Sequence, residues 1–170
     1  RCMADITPQE VQWLWYPYIP IGKITLIQGD PGQGKTMLSL AIASLVSTGG
    51  SFLGDEDLPK PRSPAPVLYQ TAEDGIADTI RPRLDKMGAD MSRIPFINGE
   101  TKGLSLSDSR IELALQQIHP VLVLIDPLQA YLGADVAMHR AYQGRPVRSL
   151  IGNLAEKHRR ACAFILPIAH

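Results

Sequence analysis

Apolar positions along the chain fall into short blocks separated by polar, glycine- and proline-bearing connections. Lys23-Ile24-Thr25-Leu26-Ile27-Gln28, Val67-Leu68-Tyr69-Gln70-Thr71 and Ala161-Cys162-Ala163-Phe164-Ile165-Leu166 are short, apolar and rich in β-branched or aromatic residues, a pattern that predicts buried strands. Val121-Leu122-Val123-Leu124-Ile125-Asp126 is the most strand-like run, and its continuous apolarity predicts burial on both faces. Ile94-Pro95-Phe96-Ile97 predicts a short edge strand, because proline cannot serve a central ladder. Met37-Leu38-Ser39-Leu40-Ala41-Ile42-Ala43-Ser44-Leu45-Val46 is long enough for a helix, has small residues on several sides, and meets a stop at Gly49-Gly50. Ile76, Ile80, Leu84 and Met87 share a helical face that Pro82 must kink or restart and Gly88 must end. Ile111, Ala114, Leu115 and Ile118 give an amphipathic helix N-capped by Ser107 and closed before Pro120. Val147, Leu150, Ile151 and Leu154 give another, started by Pro146. Five strands alternating with helices predict an α/β fold. It is a mostly parallel sheet of five or more strands with helices on both faces, in three α/β/α layers.

Residues 1–22 stand apart as an aromatic N-terminal segment, and residues 23–170 read as one core domain. Trp13, Trp15, Tyr16 and Tyr18 cluster around Pro17 and Pro20. They could stack on an adenine, but packing against the sheet edge or a neighbouring subunit is the simpler use of buried aromatics. Thr7-Pro8-Gln9-Glu10 predicts a short helix, with Thr7 as cap, Pro8 at the first position and Glu10 closing a capping box.

Composition narrows the picture mainly by exclusion. The 170 residues suffice for one domain with a real core. Lysine plus arginine and aspartate plus glutamate are 17 each, so a global basic footprint for nucleic acid is absent, although a local basic loop is not excluded. One such stretch exists: from Val136 to Ala155 there is no acidic residue, while His139, Arg140, Arg145 and Arg148 all fall inside. Arg140, Arg145 and Arg148 are candidates for contacting DNA or a neighbour's nucleotide, or simply line a solvated surface. Cys2 and Cys162 lack metal-ligand spacing, and the simplest reading is a reduced, cytoplasmic chain. No apolar run is long enough to span a membrane, and there is no signal-peptide pattern. The sequence starts at Arg1 and stops at His170 just after an apolar run, so a C-terminally truncated core is expected.

The chemistry is concentrated at Gly29-Asp30-Pro31-Gly32-Gln33-Gly34-Lys35-Thr36, which reads G-x-x-x-x-G-K-T. A predicted strand precedes it and a predicted helix follows, the order a phosphate-binding loop requires. Gly32 and Gly34 let the backbone curl around an anion, and loop N–H groups at a helix N-terminus face the phosphates. Lys35 reaches the β- and γ-phosphates as a point charge, and the Thr36 hydroxyl can ligate the accompanying magnesium. Gly29, Asp30, Pro31, Gly32, Gln33, Gly34, Lys35, Thr36 and Met37 are the expected nucleotide-binding set, with ATP and Mg2+ as cofactors. Asp126, closing the apolar run of residues 121–125, fits the magnesium-site aspartate opposite Thr36. Glu73, in the abrupt polar switch Ala72-Glu73-Asp74-Gly75 after a strand, sits where ligands bind in open α/β sheets.

Taken together, the P-loop, a strand ending at Glu73, a strand ending in Asp126 and a strand ending at His170 resemble the RecA-like P-loop ATPases. Tyr69-Gln70-Thr71-Ala72-Glu73-Asp74-Gly75 and Leu124-Ile125-Asp126-Pro127-Leu128-Gln129-Ala130-Tyr131-Leu132-Gly133-Ala134-Asp135 look most like the RepA-type hexameric replicative helicases of phage and mobile elements. The resemblance covers nearly the whole chain. It implies an ATP hydrolase coupled to DNA unwinding in replication or other DNA metabolism, a homo-oligomeric hexameric ring, single-stranded DNA as a candidate partner and no membrane. Residue by residue, it makes Glu73 the carboxylate that polarises the attacking water, Asp126 the magnesium-site aspartate and His170 the polar sensor near the γ-phosphate. Pro167 departs from the pattern, because it falls in the final strand. The family's trans-acting arginine is expected beyond His170, which implies slow turnover by this chain alone unless Arg140 or Arg145 substitutes. A regulatory nucleotide switch without unwinding activity is the second reading, and a small-molecule kinase a weaker third.

Overall fold

The computed structural model describes residues 2–57, 61–72, 75–98, 103–131 and 152, together with the backbone of residues 161–167. A two-stranded antiparallel hairpin, β1 (Trp13–Trp15) and β2 (Ile19–Pro20), opens the fold. A four-stranded sheet follows from β3 (Ile24–Gly29), β4 (Val67–Thr71), β5 (Leu122–Asp126) and β6 (Ala161–Pro167). Its strand order is β3-β6-β5-β4 and every pairing is parallel. The helices are α1 (Lys35–Thr48), α2 (Arg81–Lys86) and α3 (Ser109–Ile118).

The expected α/β, parallel-sheet architecture is present, but the fifth strand is not found among the described residues. Residues 94–97 instead lie along the open edge of β4 without a ladder. The Tyr69 N–H donates to the Pro95 carbonyl at 3.1 Å. The Gln70 side chain then does the work of a strand backbone: its Nε2 donates to the Ile97 carbonyl at 3.1 Å, and its Oε1 accepts from the Ile97 N–H at 2.9 Å. Pro95 brings no N–H, so a regular ladder has a gap at its second residue, and a side-chain amide closes the edge in its place.

All five residues of β5 are buried, as continuous apolarity predicts for a central parallel strand. Side-chain alternation divides the core in two. Val67, Tyr69, Leu122 and Leu124 face α1 and α2, where they meet Leu40, Ala43, Val46, Ile80 and Leu84. Leu68, Val123 and Ile125 face the opposite way, toward Ile111, Ala114 and Leu115 of α3 and toward Leu128 and Tyr131. The helices therefore cover both faces.

Small residues set how closely α1 packs. Ser39, Ser44 and Ser47 are buried on it. The Ser44 hydroxyl donates to the Met87 carbonyl at 2.9 Å, and the Asp90 N–H donates to Ser47 Oγ at 3.0 Å, tying α1 to the end of α2. Gly49 ends α1 at φ +72°, with the Gly50 N–H returning to the Leu45 carbonyl. A Cβ at Gly49 would lie 2.7 Å from the Arg62 carbonyl oxygen, so this stop depends on glycine for space as well as conformation. Pro82 acts as expected, in an unexpected way: a π-helical turn over Ile76–Ile80 runs directly into α2, with Pro82 in its first turn. The cap of α3 is Asp108 rather than Ser107; its carboxylate accepts from the Arg110 N–H at 2.9 Å. The helix predicted at Thr7 is absent, and a short 3-10 turn at Met3–Asp5 precedes an extended segment. The helix predicted from Pro146 lies outside the described residues, Gly152 excepted.

The aromatic cluster is an internal packing device where it is buried. Trp15 stacks on Phe52 with ring centroids 4.9 Å apart, and its indole N–H donates to the Leu53 carbonyl at 3.1 Å. Leu14 and Ile19 of the hairpin join the α1-side core. On the far side of Phe52 lies the Arg62 guanidinium, 5.0 Å from the ring centroid. Arg62 also binds Asp55 through two nitrogens, at 2.5 and 2.8 Å. The connection after α1 is thus clamped by a ring stack and an ion pair.

The Arg62 hydrogen bonds, helped by the Phe52 N–H, hold the Asp55 carboxyl below its ordinary value of 3.8 despite an opposing desolvation. A group whose folded value is depressed stabilises the fold above its unfolded value and loses that contribution as pH falls through the folded one. Stability should therefore fall with acidification below about pH 3.8. Asp55→Asn should be less stable than the parent at neutral pH and show a shallower acid slope, as read from urea midpoints measured across that range. Parallel slopes would remove Asp55 from the acid response.

Candidate functional site

In a parallel sheet all strands end on one side, and here that side carries the loop after β3 and Asp126 at the end of β5. β3 runs into the loop of residues 29–34 and then into α1. One strand, β6, separates β3 from β5. Across it, Leu26 and Ile125 are both level with Phe164, so Asp126 lies level with Ile27, near the start of the loop. Asp126 also shares the side-chain parity of Leu122 and Leu124, which places it on the face that α1 covers. Pro167 is the last residue of β6 and pairs with Gly29; the β5 ladder has already ended at Phe164. The proline therefore sits where only one neighbour remains, which explains how a central strand accepts it.

The loop has the backbone that its glycines permit. Gly32 and Gly34 both have φ of +80°, and Gly34 is the N-cap of α1 without a side-chain cap. An L-residue disfavours this conformation. The first N–H groups of α1 are thus not consumed by a capping side chain and point out of the helix end, a ready anion site. Residues 31–34 are exposed, whereas Gly29 at the base is buried. Gln33 folds back over the base, with its Oε1 accepting from the Asp30 N–H at 3.0 Å. Lys35 Nζ donates to the Gly29 carbonyl at 2.9 Å and to the Asp30 carbonyl at 2.7 Å. An ammonium has three donors. Two hold Lys35 against its own loop, leaving one donor and the whole charge for an anion in the loop's concavity.

Thr36 occupies the second position of α1 and is half-buried, while Met37 is exposed. Asp126 is 2% exposed, and its Oδ2 accepts from the Tyr69 hydroxyl at 3.3 Å. A hydroxyl and a buried carboxylate at one sheet edge are hard oxygen donors of the kind that suit Mg2+ rather than a soft metal. No cluster of three or more metal-ligating side chains occurs among the described residues. Glu73, Asp74, His170, Arg140, Arg145 and Arg148 lie outside the described residues.

Sequence reasoning did not single out Tyr69, Gln70 or Tyr131. Tyr131 is 4% exposed, and its phenol is pushed up by burial, against a lowering hydrogen bond from Gln70 and alongside the Asp126 charge. The signal available in the sequence for Tyr69 and Gln70 was a run of aromatic and polar residues, Tyr69-Gln70-Thr71, at the end of β4, which a wholly apolar buried strand would not need. Next to Tyr69, a cavity of about 470 Å³ opens between β4, the π-turn and residues 91–96. It is walled by Ile76, Ile80, Leu84, Met91 and Phe96, with Arg81 beside them, and it lies at the opposite end of the strand order from the loop.

Residues 3–170 match the sequence profile of the AAA domain family. The chain is also 28% identical over 116 residues to the DNA repair protein RadA of Bacillus subtilis (strain 168), an alignment that takes in 68% of this chain and 20% of that protein. The chain thus corresponds to about a fifth of the length of that relative. No helix among the described residues is long and apolar enough to cross a membrane.

Gly34→Ala tests the loop's backbone. Open space surrounds the Cβ position, so the cost is conformational rather than steric. Holding alanine at φ +80° should destabilise the protein by about 1–2 kcal/mol. Urea unfolding of parent and variant measures this, and an unchanged midpoint would show that the loop relaxes without cost.

Proposed function

We propose that this chain, which belongs to the AAA domain family and is a RecA-like P-loop ATPase domain, is the Mg-ATP-hydrolysing core of a RepA-like helicase-type ATPase acting in DNA replication or DNA metabolism. The observation that carries the reading is one sheet edge holding a left-handed glycine loop at the head of α1, with Asp126 buried level with its base. Residues 29–37 are the proposed nucleotide-binding set. The loop N–H groups and the end of α1 bind and orient the phosphates. Lys35 neutralises charge on the β- and γ-phosphates. The Thr36 hydroxyl and the Asp126 carboxylate would hold Mg2+. When bound, that ion supplies charge neutralisation between the β- and γ-phosphates.

Phosphoryl transfer needs little from the protein beyond positioning and electrostatics. Glu73, which follows β4 in the sequence, is proposed to orient the attacking water, and His170, which follows β6 in the sequence, to sense the γ-phosphate. Arg140, Arg145 and Arg148 are proposed to face DNA or a neighbouring subunit of a hexameric ring. Support for DNA comes from the Ala72-Glu73-Asp74 and Asp126-Pro127-Leu128 strings and from the similarity to a DNA repair protein. Against it stands a formal net charge of zero, which favours a second reading as a nucleotide switch that unwinds nothing. Stimulation of ATP turnover by single-stranded DNA, weakening with added salt, supports the first; turnover indifferent to DNA supports the second.

Two substitutions test the chemistry. Lys35→Ala should abolish tight ATP binding in titration calorimetry, because the phosphates lose their direct cation; unchanged affinity would sink the site assignment. Glu73→Gln should bind ATP almost normally yet turn it over about 10²–10⁴-fold more slowly. If single-turnover rates match the parent, Glu73 is no water-orienting residue.

A further inference from the structure

Tyr69 is a core residue with a hydroxyl that packing alone does not call for. Its side chain is 3% exposed, within the apolar cluster that joins β4 and β5 to α1 and α2. Phenylalanine would fill this space equally well, and a buried hydroxyl costs free energy unless it is hydrogen-bonded. Here it reaches across the sheet to Asp126 Oδ2 at 3.3 Å. The reach is diagonal: Tyr69 is in register with Leu124, and Asp126 is paired with Thr71. A tyrosine is long enough to span such a diagonal on one face of a sheet.

The backbone that carries the phenol is held on both sides of β4. The Tyr69 N–H is bound to the Pro95 carbonyl on one side of β4, and β5 is paired on the other. The Tyr69 side chain is buried in the core formed with α1 and α2, and that packing sets the position of the ring. A donor fixed in this way restricts the torsion of the carboxylate it meets. Oxygen ligands of a metal, or of its water shell, gain affinity when a partner orients them.

We propose that Tyr69 is a positioning residue for the metal site: its hydroxyl fixes the Asp126 carboxylate in the orientation that receives Mg2+ and its waters. This rests on the reading above that Asp126 serves the nucleotide's metal. It predicts that removing the hydroxyl weakens metal binding while leaving the metal-free nucleotide contacts of the loop in place. The expected loss lies in the range of about 10–100-fold found for residues that orient metal ligands.

The experiment uses the full chain, with Mn2+ as a paramagnetic stand-in for Mg2+ and ADP as the nucleotide. Tyr69→Phe should bind ADP in the presence of chelator as the parent does. Its Mn2+ affinity in the ADP complex, titrated by electron paramagnetic resonance, should drop by about 10-fold or more. In an Asp126→Ala background the same Tyr69→Phe change should have no further effect on Mn2+, because it acts only through the carboxylate. A hydroxyl that merely satisfies a buried group would change thermal stability and leave the Mn2+ titration where it was, and that result overturns the proposal while leaving the loop assignment standing. A parent protein with no nucleotide-dependent Mn2+ binding overturns both. Should Tyr69→Phe fail to fold, 3-fluorotyrosine at position 69 decides: its fluorine resonance should shift when Mg2+ is added to the ADP complex, and a resonance that does not move overturns the proposal.

Discussion

Burial of β5 on both faces is the constraint from which the rest of the architecture follows. Five consecutive residues, Leu122 through Asp126, are buried. A strand of this kind needs ladder partners on both edges and a helical layer on each face, since its backbone groups must be paired and its side chains covered. β4 and β6 supply the edges, α1 and α2 one face, and α3 the other. Because all pairings are parallel, each connection must cross over the sheet, and every strand delivers its C-terminal end to the same side. The glycine loop and Asp126 meet at one edge as a consequence, although 90 residues separate Thr36 from Asp126 in sequence.

The edge of the sheet is where polar residues replace regular structure. β4 has β5 on one side only, and Gln70 uses its amide to hold residue 97 where a strand could have run. Tyr69, on the other face of the same strand, turns a core position into a contact with Asp126. Two neighbouring residues of one strand thus reach outward to residue 97 and inward to Asp126, one through each face. An apolar β4 would pack as well but would lose both links.

The stop of α1 shows the same economy at the other end of the helix. Gly49 lets residues 62–64 approach closely, and Arg62 then bridges Phe52 and Asp55. The N-terminal hairpin is fastened through the same point, because Trp15 stacks on Phe52. The aromatic residues of the first 22 positions divide accordingly: Trp15 is half-buried against the core, while Tyr16 and Tyr18 remain exposed.

Elements with local signals can be read from the chain alone. Apolar runs of strand length gave β3, β4, β5 and β6; the G-x-x-x-x-G-K-T spacing gave the loop; and Gly49-Gly50 and Pro82 gave a helix stop and a break. The positions of Lys35 and Thr36 at the head of α1 and of Asp126 at the end of β5 were legible, because each is fixed by neighbours along the chain. Choices between competing partners are settled by packing. Residues 94–97 have strand-like composition but no ladder, since Pro95 lacks an N–H and the competing Gln70 amide lies 27 residues away in the chain. Asp108 displaced Ser107 as the cap of α3, a choice between adjacent good caps that propensity does not separate. The Tyr69–Asp126 contact spans 57 residues and exists only because parallel pairing sets Thr71 opposite Asp126. Periodicity reports which face of an element is buried, whereas register and strand order, which decide what lies across from it, are fixed only when the whole core is packed.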